Sequence, residues 1–148
     1  MKKRLMIGIA ALVLATGVAA QAGGAWLTDF AAAQKAAAEK KLPIFALFTG
    51  SDWCPWCVKL EKEVLSQKAF LDYAEKNLVL FKADFPRNKK VAPAVMKANR
   101  ELQAKYGVQG YPTVVLVNAD GAAIGNTGYE PGGPESYVAN LGKLLGGK

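Results

Sequence analysis

The feature that most constrains this chain is a pair of cysteines, two residues apart in the segment DWCPWC. Cys54 and Cys57 are the only cysteines among 148 residues. A short apolar run, PIFALFTG at 43–50, directly precedes them and predicts a buried strand. The mixed apolar and charged segment at 58–70 predicts a helix. Together these segments place both sulfurs at the beginning of a helix.

The start of a helix changes the chemistry of a cysteine. Free backbone N–H groups and a partial positive charge there favour the thiolate of Cys54 over its thiol. Pro55 suits the first helical turn because it has no N–H to lose. We expect Cys54 to attack a disulfide and Cys57, about one turn further on and less exposed, to resolve the mixed disulfide. Trp53 and Trp56 are expected to shield the pair and to offer an apolar surface to a partner peptide.

The composition of the chain limits the other uses that two cysteines can have. A tetrahedral zinc site needs four ligands, and the chain has no histidine and no further cysteine. The lack of histidine also disfavours Cys–His and Ser–His–Asp catalysis, and no metal site is predicted. Cu(I) accepts two thiolates, so a copper-binding or non-catalytic protein-binding module is the alternative function. A structural adaptor with a permanently oxidised pair is a third possibility, although so short a loop stabilises little.

The N-terminus predicts export. Three basic residues at 2–4 precede an uncharged apolar run at 5–20, and an Ala-Gln-Ala segment at 20–22 resembles a signal peptidase site. We expect residues 1–22 to be a cleaved signal peptide, since the run is shorter than the roughly 20 residues that span a bilayer. Retention as a membrane anchor is the alternative. A bacterial periplasmic or secreted location follows, where disulfides persist.

The rest of the chain, 23–148, suits one domain of ordinary composition, with 51% hydrophobic residues in the full sequence. The lysines are scattered and no Arg-rich stripe interleaves with aromatic residues, which disfavours a nucleic-acid partner. We expect a monomer that is not inserted in the membrane once the signal is removed. No bound cofactor is expected, because a dithiol carries two electrons itself.

Helical and strand patterns alternate along this domain. Helices are predicted at 30–41, 58–70, 94–107 and 134–145, and strands at 43–50, 77–85, 111–118 and 122–129. The order αβαβαββα predicts an α/β fold with parallel pairing early and a hairpin late. Glycines in the last strand favour an edge position.

These segments resemble the thioredoxin-like superfamily over roughly residues 26–145. The resemblance rests on the strand before the pair, Trp53 followed by the cysteine segment, a second strand VLFKADF, and GVQGYPTVVLVNADG at 107–121. It looks closest to secreted thioredoxin-like proteins and to the C-terminal thioredoxin domain of the bacterial transmembrane disulfide reductase. The resemblance implies a thioredoxin fold, with a central mixed sheet of about four strands flanked by helices on both faces.

The resemblance also assigns further site residues. Pro112 matches a proline that is cis in the family and faces the cysteine pair, and Tyr111 would pair with an incoming peptide like an added strand. Many thioredoxins carry a buried Asp on the strand before the pair, but the matching segment FALF has none. Lys82 falls where the family often has a lysine. Proton handling at Cys57 is therefore assigned to Lys82, Asp52 or water.

The function that the resemblance implies is an exported thiol:disulfide oxidoreductase acting on protein thiols and disulfides. The resemblance favours a reductant or general exchanger over an oxidase, and the chain also lacks the large helical insertion of the main periplasmic oxidase. A membrane disulfide reductase is a candidate electron donor. The dipeptide Pro55-Trp56 differs from the Gly-Pro of general thioredoxins, and it does not reveal the direction of electron flow.

Overall fold

Four strands form one mixed sheet in the computed structural model, which describes residues 25–146. The strands are β1 (Ile44–Thr49), β2 (Val79–Asp84), β3 (Thr113–Val117) and β4 (Ala123–Thr127). The sheet order is β2-β1-β3-β4, with β1 parallel to β2 and antiparallel to β3, and β3 antiparallel to β4. The parallel pairing, the late hairpin and the edge position of the last strand are confirmed. The predicted signal peptide, 1–22, lies outside the described residues.

Helices cover both faces of this sheet, as predicted. They are α1 (Phe30–Lys40), α2 (Pro55–Leu60), a π-helix (Glu61–Leu65), α3 (Lys68–Asn77), α4 (Pro93–Lys105) and α5 (Gly133–Gly146). The helices α1 and α4 pack on one face, and α2, the π-helix, α3 and α5 pack on the other. Within residues 25–146, no helix is both long enough and apolar enough to cross a membrane.

The central strand β1 supplies side chains to both layers of the core, and all six of its residues are buried. Phe45 and Leu47 join the cluster under α3 and α5, whereas Ile44, Ala46 and Phe48 join the cluster under α1. A strand covered on both faces has no polar side, which explains why its first five residues are all apolar. The strand therefore holds the segment that follows it in a fixed position.

The single helix predicted at 58–70 is wrong. The chain passes from α2 into the π-helix, and Ser66 and Gln67 then separate this segment from α3. Gln67 has extended backbone angles, φ −83° and ψ 144°. Val58, one of the apolar residues of the predicted segment, is 49% exposed. The break contains neither Gly nor Pro, and the apolar pattern runs through it because both segments pack on the same core.

Candidate active site

The cysteine pair lies just beyond the carboxyl end of β1, where the chain enters α2. Cys54 and Cys57 form a disulfide, with their Cα atoms 5.2 Å apart. Cys54 caps the helix, because its Sγ accepts a hydrogen bond from the Cys57 N–H at 3.3 Å, and Pro55 occupies the first turn. Both cysteines are 4% exposed, so the greater burial expected for Cys57 is not observed in the oxidised pair.

Distant segments converge on the two sulfurs. The carbonyl oxygen of Tyr111 lies 3.6 Å from Cys54 Sγ, and the Tyr111–Pro112 peptide bond is cis. On the other side, the Gly50 N–H donates to Cys57 Sγ at 3.5 Å. The structure thus brings the predicted residues Tyr111 and Pro112 beside Cys54. A dithiol at this position would have its Cys54 thiol within reach of a backbone acceptor.

Trp53 is fixed beside the pair. Its indole N–H donates to the Phe85 carbonyl at 2.7 Å, and its ring meets the edge of Tyr111 at 5.9 Å between centroids. Gly50 lies so close that a Cβ there would overlap the indole. The indole is half-buried and ordered by contacts on several sides, and its substrate-binding role stays a prediction.

Trp56 forms an exposed aromatic surface with a residue that the sequence did not indicate. Its side chain is 55% exposed and its ring lies 5.2 Å from that of Tyr129. The Lys59 ammonium lies 5.1 Å from the Trp56 centroid and 5.0 Å from that of Tyr129. The Tyr129 hydroxyl donates to Glu63 at 2.7 Å. No local pattern marks Tyr129, because it reaches the site only through the position of β4.

A cavity of about 400 Å³ opens beside Cys57. Its lining includes Glu61 and Lys82, whose carboxylate oxygen and Nζ lie 3.8 Å apart. The ammonium of Lys82 also lies 4.7 Å from the Trp26 ring centroid, and its side chain is 24% exposed. Sequence reasoning missed Glu61. Its spacing of four residues from Cys57, which puts both on one helix face, was the available signal.

Asp52 points to a neighbouring loop. Its carboxylate accepts hydrogen bonds from the backbone N–H of Arg87 at 2.9 Å and of Asn88 at 2.7 Å. The first of these bonds is the main cause that lowers the pKa of Asp52 below its ordinary value of 3.8. Asp52 is not among the residues that line the cavity beside Cys57. A proton-handling role for Asp52 stays a prediction.

Comparison with known proteins defines the class to which this fold and site belong. Residues 30–139 match the family model of the thioredoxin-like domain, and the chain belongs to this family. The predicted thioredoxin-like resemblance and fold are therefore confirmed.

Two of the matches are to proteins named DsbH, and a third, more distant structure shows the fold alone. It is 37% identical over 103 residues to the disulfide bond reductase DsbH of Chlamydia pneumoniae, covering 70% of this chain but only 62% of that relative. The solved structure of a DsbH oxidoreductase superposes with a TM-score of 0.79 at 33% identity, over 84% of this chain and 85% of that one. The oxidised C-terminal domain of Neisseria meningitidis DsbD shares the fold, with a TM-score of 0.58 at 20% identity over 81% and 99% of the chains.

Proposed function

We propose that this chain is an exported thiol:disulfide oxidoreductase that reduces disulfides in protein partners. The observation that carries the proposal is the geometry of the pair, in which the Cys57 N–H at the helix start donates to Cys54 Sγ at 3.3 Å. The same N–H group stabilises a thiolate on Cys54. The name of the DsbH relative supports the reductive direction, and the basic and apolar N-terminal sequence supports export.

The reaction proceeds by two exchanges. The Cys54 thiolate attacks one sulfur of the partner disulfide, and the other partner sulfur leaves as a thiolate. The Cys57 thiolate then attacks Cys54 Sγ in the mixed disulfide and releases the second partner thiol. The partner gains two electrons and the Cys54–Cys57 pair becomes oxidised. A dithiol of a membrane disulfide reductase is the proposed donor that reduces the pair again.

The cavity beside Cys57 supports a route for the proton. Cys57 must lose its proton before it attacks, because the thiolate is the nucleophile. The Glu61 carboxylate, which shares the cavity with this residue, accepts the proton directly or through a water molecule. Lys82 lines the same cavity and forms an ion pair with that carboxylate at 3.8 Å, which positions the carboxylate in the cavity.

The surface around Cys54 supports an extended partner segment. The Tyr111 backbone lies within 3.6 Å of the attacking sulfur and pairs with the partner chain in the manner of an added strand. Trp53 and Trp56 lie on either side of Cys54 in sequence, and Trp56 is 55% exposed to solvent, so its ring is accessible to a partner. Aromatic side chains of this kind contribute large contact areas at interfaces.

Serine substitutions of the two cysteines test the assigned roles. Cys54→Ser removes the attacking thiolate and is expected to abolish reduction of a protein disulfide such as that of insulin. Cys57→Ser leaves the attacking thiolate and is expected to accumulate mixed disulfides that dithiothreitol releases, measured by non-reducing electrophoresis and mass spectrometry. Each variant is the matched control for the other. Reduction by Cys54→Ser, or trapping by that variant instead of Cys57→Ser, would reverse the assignment.

A further inference from the structure

A basic loop at residues 86–90, with the sequence PRNKK, borders the cysteine pair and has no role in the exchange steps. Its cations, Arg87, Lys89 and Lys90, are all exposed. The loop is anchored at its centre, because Asp52 accepts backbone hydrogen bonds from Arg87 at 2.9 Å and from the next residue at 2.7 Å. The backbone that carries these cations is therefore positioned before any partner arrives.

Two of the loop cations lie against elements of the site. The Arg87 guanidinium stacks on Trp53, with Cζ 3.9 Å from the ring centroid, and Trp53 directly precedes Cys54. Lys89 lines the cavity beside Cys57. The loop thus contacts the residue next to Cys54 and contributes to the cavity that Cys57 also lines.

Two other carboxylates near the cysteine pair already have partners within the chain. Asp84 accepts hydrogen bonds from the backbone N–H of Ser51 at 3.0 Å and from its hydroxyl. Glu61 forms its ion pair of 3.8 Å inside the cavity. Within residues 25–146, neither Arg87 nor Lys89 has a carboxylate oxygen within 4.0 Å. Lys89 also interacts electrostatically with the Asp52 carboxylate at longer range. Within the described residues, neither cation is held in an ion pair that a partner carboxylate would have to displace.

We propose that Arg87 and Lys89 form a docking site for acidic segments of the protein whose disulfide reacts with Cys54. This inference rests on the proposed function and names the chemistry of its partner. The planar guanidinium of Arg87 can bind a carboxylate through two parallel hydrogen bonds while it remains stacked on Trp53. Complementary charge beside the reacting sulfur raises the rate of encounter and is weakened by salt.

Two peptides with one disulfide each test this docking site. They differ only in carrying Glu or Gln at the positions that flank the cysteines. The second-order rate constant for their reduction by the reduced, purified chain is measured by stopped-flow fluorescence at low and at high ionic strength. We expect the Glu peptide to react about tenfold faster than the Gln peptide at low ionic strength, and the ratio to fall towards one at about 0.5 M salt.

Paired variants locate the effect. Arg87→Gln combined with Lys89→Gln is expected to bring the Glu-to-Gln rate ratio close to one. Lys40→Gln combined with Lys76→Gln removes the same charge from exposed positions that precede the amino ends of β1 and β2, and is expected to leave the ratio unchanged.

The outcomes separate the two proposals. Equal rates for both peptides, or an equal fall of the ratio in both double variants, would overturn the docking site while leaving the exchange activity standing. Failure of the unmodified chain to reduce either peptide would overturn the proposed function, and this inference with it.

Discussion

At the scale of single residues, Gly50 provides the space that Trp53 occupies beside the cysteine pair. A Cβ at position 50 would overlap the indole ring, which is held by its hydrogen bond to the Phe85 carbonyl at 2.7 Å. Gly50→Ala is therefore expected to displace the ring and to lower the free energy of unfolding by about 1–3 kcal/mol, as overpacking does. Urea unfolding followed by circular dichroism measures this loss.

Gly142→Ala is the matched control for this substitution. Gly142 is an exposed residue within α5, and a Cβ there would meet nothing within 4 Å. Alanine is the better helix former, so we expect a gain of about 0.5–1 kcal/mol. If Gly50→Ala were as stable as the unmodified protein, Trp53 would not be fixed in the position described.

The contribution of Asp52 to the stability of the fold is predicted to depend on pH. Its carboxyl pKa is lowered from 3.8 in the folded protein, chiefly by the hydrogen bond from the Arg87 backbone. A carboxyl with a lowered pKa stabilises the fold above its ordinary pKa, and this contribution is lost as the pH falls through the lowered value. We expect Asp52→Asn to be less stable than the unmodified protein at pH 7, with a smaller difference at about pH 2. Urea unfolding at both pH values measures the difference.

Glu39→Gln controls for the loss of an acidic side chain. Glu39 is exposed on α1, and its carboxylate has no hydrogen bond or ion pair within the described part of the chain. We expect its substitution to leave stability unchanged at both pH values. The stability difference between Asp52→Asn and the unmodified protein should shrink in acid. An equal difference at both pH values would contradict the role given to the Asp52 carboxylate.

At the scale of elements, the stability of α1 depends strongly on its N-cap residue, Asp29. Only Ala33 and Ala37 of this helix are fully buried, so its packing gain is modest. The Asp29 carboxylate accepts hydrogen bonds from the N–H groups of Ala31 at 2.8 Å and Ala32 at 3.3 Å. Asp29→Ala is expected to lower the free energy of unfolding by about 1 kcal/mol, measured by urea unfolding.

Asp29→Asn separates capping from other effects of this substitution. Asparagine keeps a side-chain oxygen that can accept the same hydrogen bonds, so most of the stability should be retained. A loss as large as that of Asp29→Ala would show that charge near the helix start, and not the hydrogen bond, is the main contribution.

Strands β1 and β3 were predictable from their apolar runs, whereas one helix was not predicted correctly. β1 and β3 are continuous apolar segments because the sheet is covered on both faces, and such runs are visible without any partner. The sequence did not indicate the break at Ser66 and Gln67, because neither residue is a typical helix breaker. The π-helix before it also depends on tertiary packing of Val64 and Leu65, which periodicity alone cannot show.

At the scale of the whole molecule, the site combines a local half and a distant half. The local half consists of Trp53, Cys54 and Cys57. These residues are neighbours in the chain, so the sequence alone indicated that they share a site. The contact between Glu61 and Lys82 depends on β2 lying parallel to β1, which brings Lys82 opposite the strand that leads to the pair. Spacing of four residues between charged or reactive side chains is common on helices, so it could not single out Glu61 in advance.

The direction of electron flow is the central claim, and the equilibrium reduction potential of the Cys54–Cys57 pair tests it most directly. The purified chain is equilibrated with a reference dithiol of known potential, and its reduced fraction is counted by mass spectrometry after thiol alkylation. A reductant of protein disulfides should have a potential close to that of thioredoxin, about −270 mV. A value near about −120 mV, typical of strongly oxidising disulfides, would contradict the account and make the protein a disulfide donor.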